Sequence, residues 1–99
     1  MITIIGGSGF VGSFLIKELH NYKVGNLDKN PSPFFDNITI NGDIRNLDEI
    51  KIPRGTKAVV LLAAEHRDDV SPTTLYYDVN VQGTKNVLQA MDTAGVKNI

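Results

Sequence analysis

A chain of 99 residues has room for one domain, and by the size scaling it buries about 60–70% of its unfolded surface. Hydrophobic residues make up 41% and charged residues 21%, an ordinary globular balance, and a net charge of −1 leaves no basic excess for nucleic acid or an anionic membrane. There is no cysteine, which excludes disulfides, zinc–thiolate sites and thiol nucleophiles.

The chain opens with Ile2-Thr3-Ile4-Ile5, an apolar run of the kind a strand covered on both faces shows. Gly6, Gly7, Gly9 and Gly12 follow, and then apolar residues at helical spacing, Val11, Phe14, Leu15 and Leu19. The pattern predicts a strand, a glycine-rich turn and a helix from about Phe10 to Asn21, with Lys17, Glu18 and His20 on its solvent side. Gly7, Gly9 and Gly12 satisfy G-x-G-x-x-G, and Gly6, Gly9 and Gly12 satisfy G-x-x-G-x-x-G. Either spacing alone is a weak signal; placed between a strand and a helix it predicts a diphosphate cradle, with backbone N–H groups at the positive end of the helix facing the anion. The plain alternative is a tight strand-to-helix turn that binds nothing. A nucleotide-triphosphatase phosphate loop is excluded, because no Gly-Lys-Ser/Thr follows.

Lys23-Val24-Gly25-Asn26-Leu27 predicts a second strand ending in Asp28, some twenty residues after the glycines. A carboxylate at that place accepts hydrogen bonds from the adenosine ribose hydroxyls and repels a 2′-phosphate, which favours NAD over NADP; an exposed loop aspartate is the bland reading. Lys29 to Asp36 is a proline-bearing loop that Phe34 and Phe35 are expected to pack down. Asn37 to Asn41 alternates as a third strand, Gly42-Asp43-Ile44-Arg45 follows, and Leu47 to Ile52 predicts a short helix before Pro53. Ala58 to Ala64 is a fourth, continuously apolar strand whose small Ala63-Ala64 end lets a flat group approach the backbone.

Glu65 to Ser71 reads as a polar loop. Its His66, Asp68 and Asp69 have no fixed face, so a solvated loop is preferred to a metal site, while Glu65 and Arg67 stand at the strand mouth where ligands of open α/β sheets bind. Ser71 and Pro72 are placed to open a helix. Leu75, Val79, Val87, Leu88, Met91 and Ala94 form its stripe and Gly95 its stop, and Val96 to Ile99 begin a fifth strand. Strands alternating with helices give a Rossmann-like, doubly wound α/β fold with a parallel sheet in the order 3-2-1-4-5. The first strand starts at residue 2 and no apolar run reaches membrane-span length, so neither a signal peptide nor a span is expected, and the chain reads as cytoplasmic.

Taken together, Gly6-Gly7-Ser8-Gly9-Phe10-Val11-Gly12, Asp28, Gly42-Asp43-Ile44-Arg45 and Tyr77-Asp78-Val79-Asn80-Val81-Gln82-Gly83-Thr84-Lys85-Asn86-Val87-Leu88 resemble the N-terminal part of an extended short-chain dehydrogenase/reductase. These are the NAD-dependent epimerases and dehydratases of nucleotide sugars. Leu62-Ala63-Ala64 is a looser match, with Leu61 where many relatives carry histidine. The resemblance implies NAD as cofactor. Gly6, Gly9 and Gly12 would shape its cradle, and Phe10 and Val11 would give amides to the pyrophosphate. Asp28 and Lys29 would then stand at the adenosine ribose, Asp43 and Ile44 at the adenine, and Leu62, Ala63 and Ala64 on the nicotinamide side. Asn80 would order the loop beside the cofactor. Read without the resemblance, Asp43 is a turn former and Asn80 a helix-surface residue.

The family's chemistry uses a Ser or Thr and a Tyr-x-x-x-Lys pair, the tyrosinate acting as base. Here Tyr22, Tyr76 and Tyr77 are followed four residues later by Asn26, Asn80 and Val81, so no catalytic residue is assigned and no metal site either. The expectation is the NAD-binding part of an enzyme that acts on a nucleotide sugar, with the acid–base group and the sugar-binding domain absent and like chains associating. A redox-silent NAD(P)-binding regulator and an NADP-dependent reductase of small carbonyl compounds are the rival readings.

Overall fold

A computed structural model describes residues 1–63 and 77–99. Four short strands, β1 (Ile2–Ile5), β2 (Val24–Asp28), β3 (Thr39–Asn41) and β4 (Ala58–Leu61), form one parallel sheet in the order β3-β2-β1-β4. Helix α1 (Phe10–Glu18) joins β1 to β2, and α2 (Thr84–Ala94) continues from a widened π-helical stretch, Asp78–Gly83. Consecutive strand residues face opposite ways and residues paired in register share a face. Ile5 pairs with Leu27, and both join Val59, Val79, Val87 and Met91 in the main core beneath α2. Each such side chain, removed from water, contributes about 1.5–3 kcal/mol. Ile4 pairs with Asn26 on the other face, under α1, which turns Gly12 and Ile16 inward.

Of the apolar stripe that the sequence marks on α1, Leu15 and Leu19 are half-buried but Val11 and Phe14 are exposed, and Phe14 meets the exposed Phe10 edge to face at 5.3 Å. Gly12 decides this orientation. A Cβ there would lie 2.4 Å from Gly7 Cα, so only a bare glycine lets α1 come this close to the turn. Helix α1 also ends at Glu18 rather than near Asn21, because the Leu19 N–H is shared between the Leu15 and Ile16 carbonyls and the Tyr22 N–H then returns to Leu19.

Other boundaries differ for local reasons. The third strand starts at Thr39, since Asp36–Ile38 forms a 3-10 turn in which the Ile38 N–H and the Thr39 hydroxyl both bond the Phe35 carbonyl. Phe34 does not pack its loop down; it is 79% exposed, while Phe35 is half-buried. In place of a helix over Leu47 to Ile52 there is a single 3-10 turn, Leu47–Glu49, capped by the Asn46 side chain and ended before Pro53. The residues expected to enter a fifth strand, Val96 to Ile99, come alongside β4. Val96 is buried, and Asn98 lies beside β4, accepting from the Val59 N–H at 2.9 Å and donating to the Lys57 carbonyl at 3.1 Å, but no ladder follows. Four strands are therefore described, not five. At the end of α2, Gly95 takes φ +75° and stops the helix as its sequence position predicts. Ser71, Pro72 and Leu75 lie outside the described residues.

Candidate functional site

All four strands point their carboxyl ends at one cleft of about 310 Å³. Its walls are Ile5, Gly6 and Gly9 after β1; Leu27 to Asn30 at the end of β2; Gly42, Asp43 and Ile44 after β3; Leu62 and Ala63 after β4; and Val79. This is the crevice where β1 has β2 on one side and β4 on the other, the switch point at which open α/β sheets take ligands.

The glycine turn is fixed from below. Gly6 has φ +91°, and a Cβ on it would meet Ala63 N at 2.4 Å, so this glycine is required twice over. The Gly6 N–H bonds the Leu27 carbonyl at 2.8 Å, the Gly7 N–H bonds Asn26 Oδ1 at 2.8 Å, and the Ser8 N–H bonds Asp28 Oδ2 at 2.9 Å. Gly9 differs. Its backbone is extended (φ −81°, ψ −174°), a conformation open to any residue, and a Cβ placed on it meets nothing within 4 Å. The protein's own packing makes no demand for glycine there, although the residue lines the cleft. Just beyond it, α1 opens with no side-chain cap and no acid in its first turn, so the amides of Phe10, Val11 and Gly12 lack intrahelical acceptors.

Asp28 closes the β2 side. Its Oδ1 also accepts the Asn30 N–H at 2.9 Å, which orients the carboxylate from both directions. Across the cleft, Asp43 is gripped by Arg45, whose Nε and Nη2 donate to it at 3.1 and 2.6 Å. That guanidinium hydrogen bond holds the Asp43 carboxyl below its usual range against a smaller opposing effect of burial, and Arg45 is raised in turn. The Asp43–Ile44 turn rests on α2 and the turn before Ile50: Glu49 accepts the Asp43 N–H, Asn86 Nδ2 donates to the Ile44 carbonyl at 2.9 Å, and Gln82 donates to Asn86 Oδ1 at 3.1 Å. A Cβ on Gly83 would reach within 2.6 Å of Ile44 Cδ1, so this glycine lets the turn settle against the helix.

Of the residues singled out from sequence, Gly6, Gly9, Asp28, Lys29, Asp43, Ile44, Leu62 and Ala63 meet in this one cleft. Phe10 and Val11 stand beside it at the start of α1, and Gly12 lies behind it against Gly7. Asn80 is half-buried in the π-helical stretch, outside the cleft lining, with its carbonyl accepting from Thr84. Ala64, Glu65, Arg67 and the His66, Asp68 and Asp69 group lie outside the described residues. Among the described residues no three His, Cys, Asp or Glu side chains gather as a metal site, and no helix is long and apolar enough to cross a membrane. Sequence reasoning passed over Asn26, Asn86 and Gly83. A polar residue inside an apolar strand was the available sign for Asn26.

Residues 2–99 match the family model described as the NAD dependent epimerase/dehydratase family. The chain belongs to that family. Within this epimerase/dehydratase family it is 55% identical, over 99% of its own length, to an Escherichia coli O157:H7 protein named N-acetyl-alpha-D-glucosaminyl-diphospho-ditrans,octacis-undecaprenol 4-epimerase. It spans 30% of the length of that relative. Among solved structures it is similar to a short-chain dehydrogenase/reductase superfamily protein of Agrobacterium tumefaciens with bound NAD (TM-score 0.82, 28% identity, 98% of this chain and 30% of that one). It is also similar to the Thermus thermophilus UDP-glucose 4-epimerase in complex with NAD (TM-score 0.80, 25% identity, 97% and 35%).

Proposed function

We propose that this chain is the NAD-binding part of an epimerase acting on a sugar joined to a diphosphate. The observation that carries the reading is Gly9: a glycine facing the cleft at a helix opening, in a conformation and a space that would accept any side chain. Such a residue fits a ligand that must press against the backbone, and the uncapped amides of α1 fit an anionic one. In this reading the amides of Phe10 and Val11 hold the pyrophosphate. Asp28, already aligned by the Ser8 and Asn30 N–H groups, receives the ribose hydroxyls with Lys29 at its rim. Asp43 and Ile44 receive the adenine, and Leu62, Ala63 and Ala64 the nicotinamide side, with Asn80 ordering the neighbouring loop. When bound, NAD supplies reversible hydride transfer at a sugar carbon; the residues of this chain bind and orient it.

The E. coli relative's name supports a polyprenyl-diphosphate-linked N-acetylglucosamine as the substrate class. We infer further that residues 1–99 form the N-terminal part of the dinucleotide-binding domain. The Tyr and Lys acid–base pair and the sugar contacts then belong to a continuation of the polypeptide, in keeping with the share of the relatives that the chain spans. A cytoplasmic setting accords with the lack of cysteine. Association of like chains is part of the same reading, and light scattering that returns a monomer mass at high concentration would refute it.

Calorimetry of the intact protein tests the cofactor assignment with Gly9→Asp. Aspartate is a favourable N-cap, so the melting temperature is expected to hold or rise. Its charge would face the diphosphate, and at about 4 Å and an effective dielectric near 20 the repulsion is about 4 kcal/mol. An NAD affinity at least about 100-fold weaker is the expected result, that factor corresponding to roughly 2.7 kcal/mol. Absence of NAD uptake by the unaltered protein would refute the reading.

A further inference from the structure

Strand β2 carries a polar side chain in the interior of the sheet. Asn26 is 2% exposed, and its amide is engaged on both ends. Oδ1 accepts the Gly7 N–H at 2.8 Å, while Nδ2 donates to Thr39 Oγ1 at 3.0 Å and to Ser8 Oγ at 3.3 Å. These partners carry the constraint outward. Ser8 Oγ donates to the Asn30 carbonyl at 2.8 Å, and Thr39 Oγ1 donates to the Phe35 carbonyl at 2.8 Å. One side chain thus fastens the glycine turn, the loop leaving β2 and the start of β3. The arrangement also accounts for Gly7, since a Cβ there would stand 2.4 Å from Asn26 Oδ1. An aliphatic residue would complete the strand with no polar group to satisfy, so the amide serves something other than burial.

We propose that Asn26 is a positioning residue for the dinucleotide, holding the glycine turn in its binding shape before the cofactor arrives. The inference rests on the NAD reading above. A turn rich in glycine loses the most conformational freedom on being ordered, about 1–2 kcal/mol per residue. Fixing Gly7 and Ser8 during folding removes that cost from the binding step.

The test compares ligand-free amide exchange and NAD affinity in the intact protein. Asn26→Leu keeps a side chain of similar size and removes all three bonds. Exchange at Gly7 and Ser8 is expected to quicken at least tenfold while Thr3 and Ile4 stay protected, and the Kd for NAD to rise about tenfold, or 1.4 kcal/mol. Thr3→Val supplies the contrast. It removes the buried hydroxyl pair with Thr56 (2.7 Å), and is expected to lower the melting temperature with NAD affinity unchanged. If Asn26→Leu does not fold, Thr39→Val carries the test by removing the hydroxyl that accepts from Asn26 and donates to the Phe35 carbonyl; a Kd raised about threefold supports the proposal, and an unchanged Kd overturns it. Wild-type exchange and affinity in Asn26→Leu overturn it while leaving the NAD reading intact. An unaltered protein that takes up no NAD overturns both.

Discussion

The two walls of the cleft are built with different chemistry. On the β1–β2 side the glycine turn hangs from a buried neutral amide and a half-buried carboxylate, Asn26 and Asp28, each bonded to backbone N–H groups. On the β3 side the Asp43 turn is held by an ion pair whose arginine side chain is 41% exposed, with a neutral strut from Asn86 behind it. The first wall tolerates little change at Gly6 and Gly12, where an added Cβ would meet backbone atoms, although Gly9 beside them has open space. The second is held mostly by side-chain ends, at Asp43, Arg45 and Asn86, with one backbone contact where Gly42 meets the Glu49 carbonyl. Backbone contacts thus prevail on the wall beside the opening of α1, and side-chain contacts on the wall that carries Asp43.

That contrast yields ordered expectations. Gly12→Val should cost most, about 3 kcal/mol or more by chemical denaturation, since its side chain would be driven into the Gly7 backbone. A loss below about 1 kcal/mol would show that the first wall yields after all. Asn86→Leu comes next: it strips the Ile44 carbonyl of its buried donor, and about 1–3 kcal/mol should go. Arg45→Gln should cost under about 1 kcal/mol at neutral pH, because the pair is partly solvated and screened.

The Arg45 effect has a definite pH signature. The Asp43 carboxyl is depressed in the folded state by the Arg45 hydrogen bond, so its stabilising share is fully present above the unfolded carboxylate value, about 4. It fades as pH falls through the lower folded value. The stability gap between the unaltered protein and Arg45→Gln should therefore be level above pH about 5 and narrow in acid; a gap that widens there would contradict the assignment. The smallest effect belongs to neither wall. Phe34→Ser, at a side chain 79% exposed, should change stability by less than about 0.5 kcal/mol, measured by thermal melting.

Most of the sheet and one rim of the cleft are legible in the sequence because they rest on local signals. Glycine spacing, apolar runs and an acid at the end of β2 each mark their own position, and a parallel sheet then brings Asp28, Asp43 and Ala63 to one edge. What escapes is whatever depends on a partner distant in the chain. The orientation of α1 is set by Gly12 meeting Gly7, so the apolar positions Val11 and Phe14 give a misleading stripe. Asn26 and Asn86 look like ordinary polar residues until the strand or turn they support is in place. The starts of β3 and of the Leu47–Glu49 turn are fixed by side-chain bonds at Thr39 and Asn46, too local for periodicity to register.

The π-helical stretch Asp78–Gly83 makes the chain's length a structural variable in its own right. A π turn holds about one residue more than an α turn, and such single-turn widenings occur frequently at functional sites. Losing one residue would let the segment relax to ordinary α pitch, and because the wide turn absorbs its extra residue within one revolution, the helix beyond it would keep nearly the same rotational setting. Val79, buried in the core, and Asn80 lie inside the segment and would bear the reshaping, although no chemical group at either position had altered. A one-residue deletion here should therefore be tolerated better than one in the middle of α2, where each residue turns the helix by about 100°, and thermal melting of the two variants would rank them.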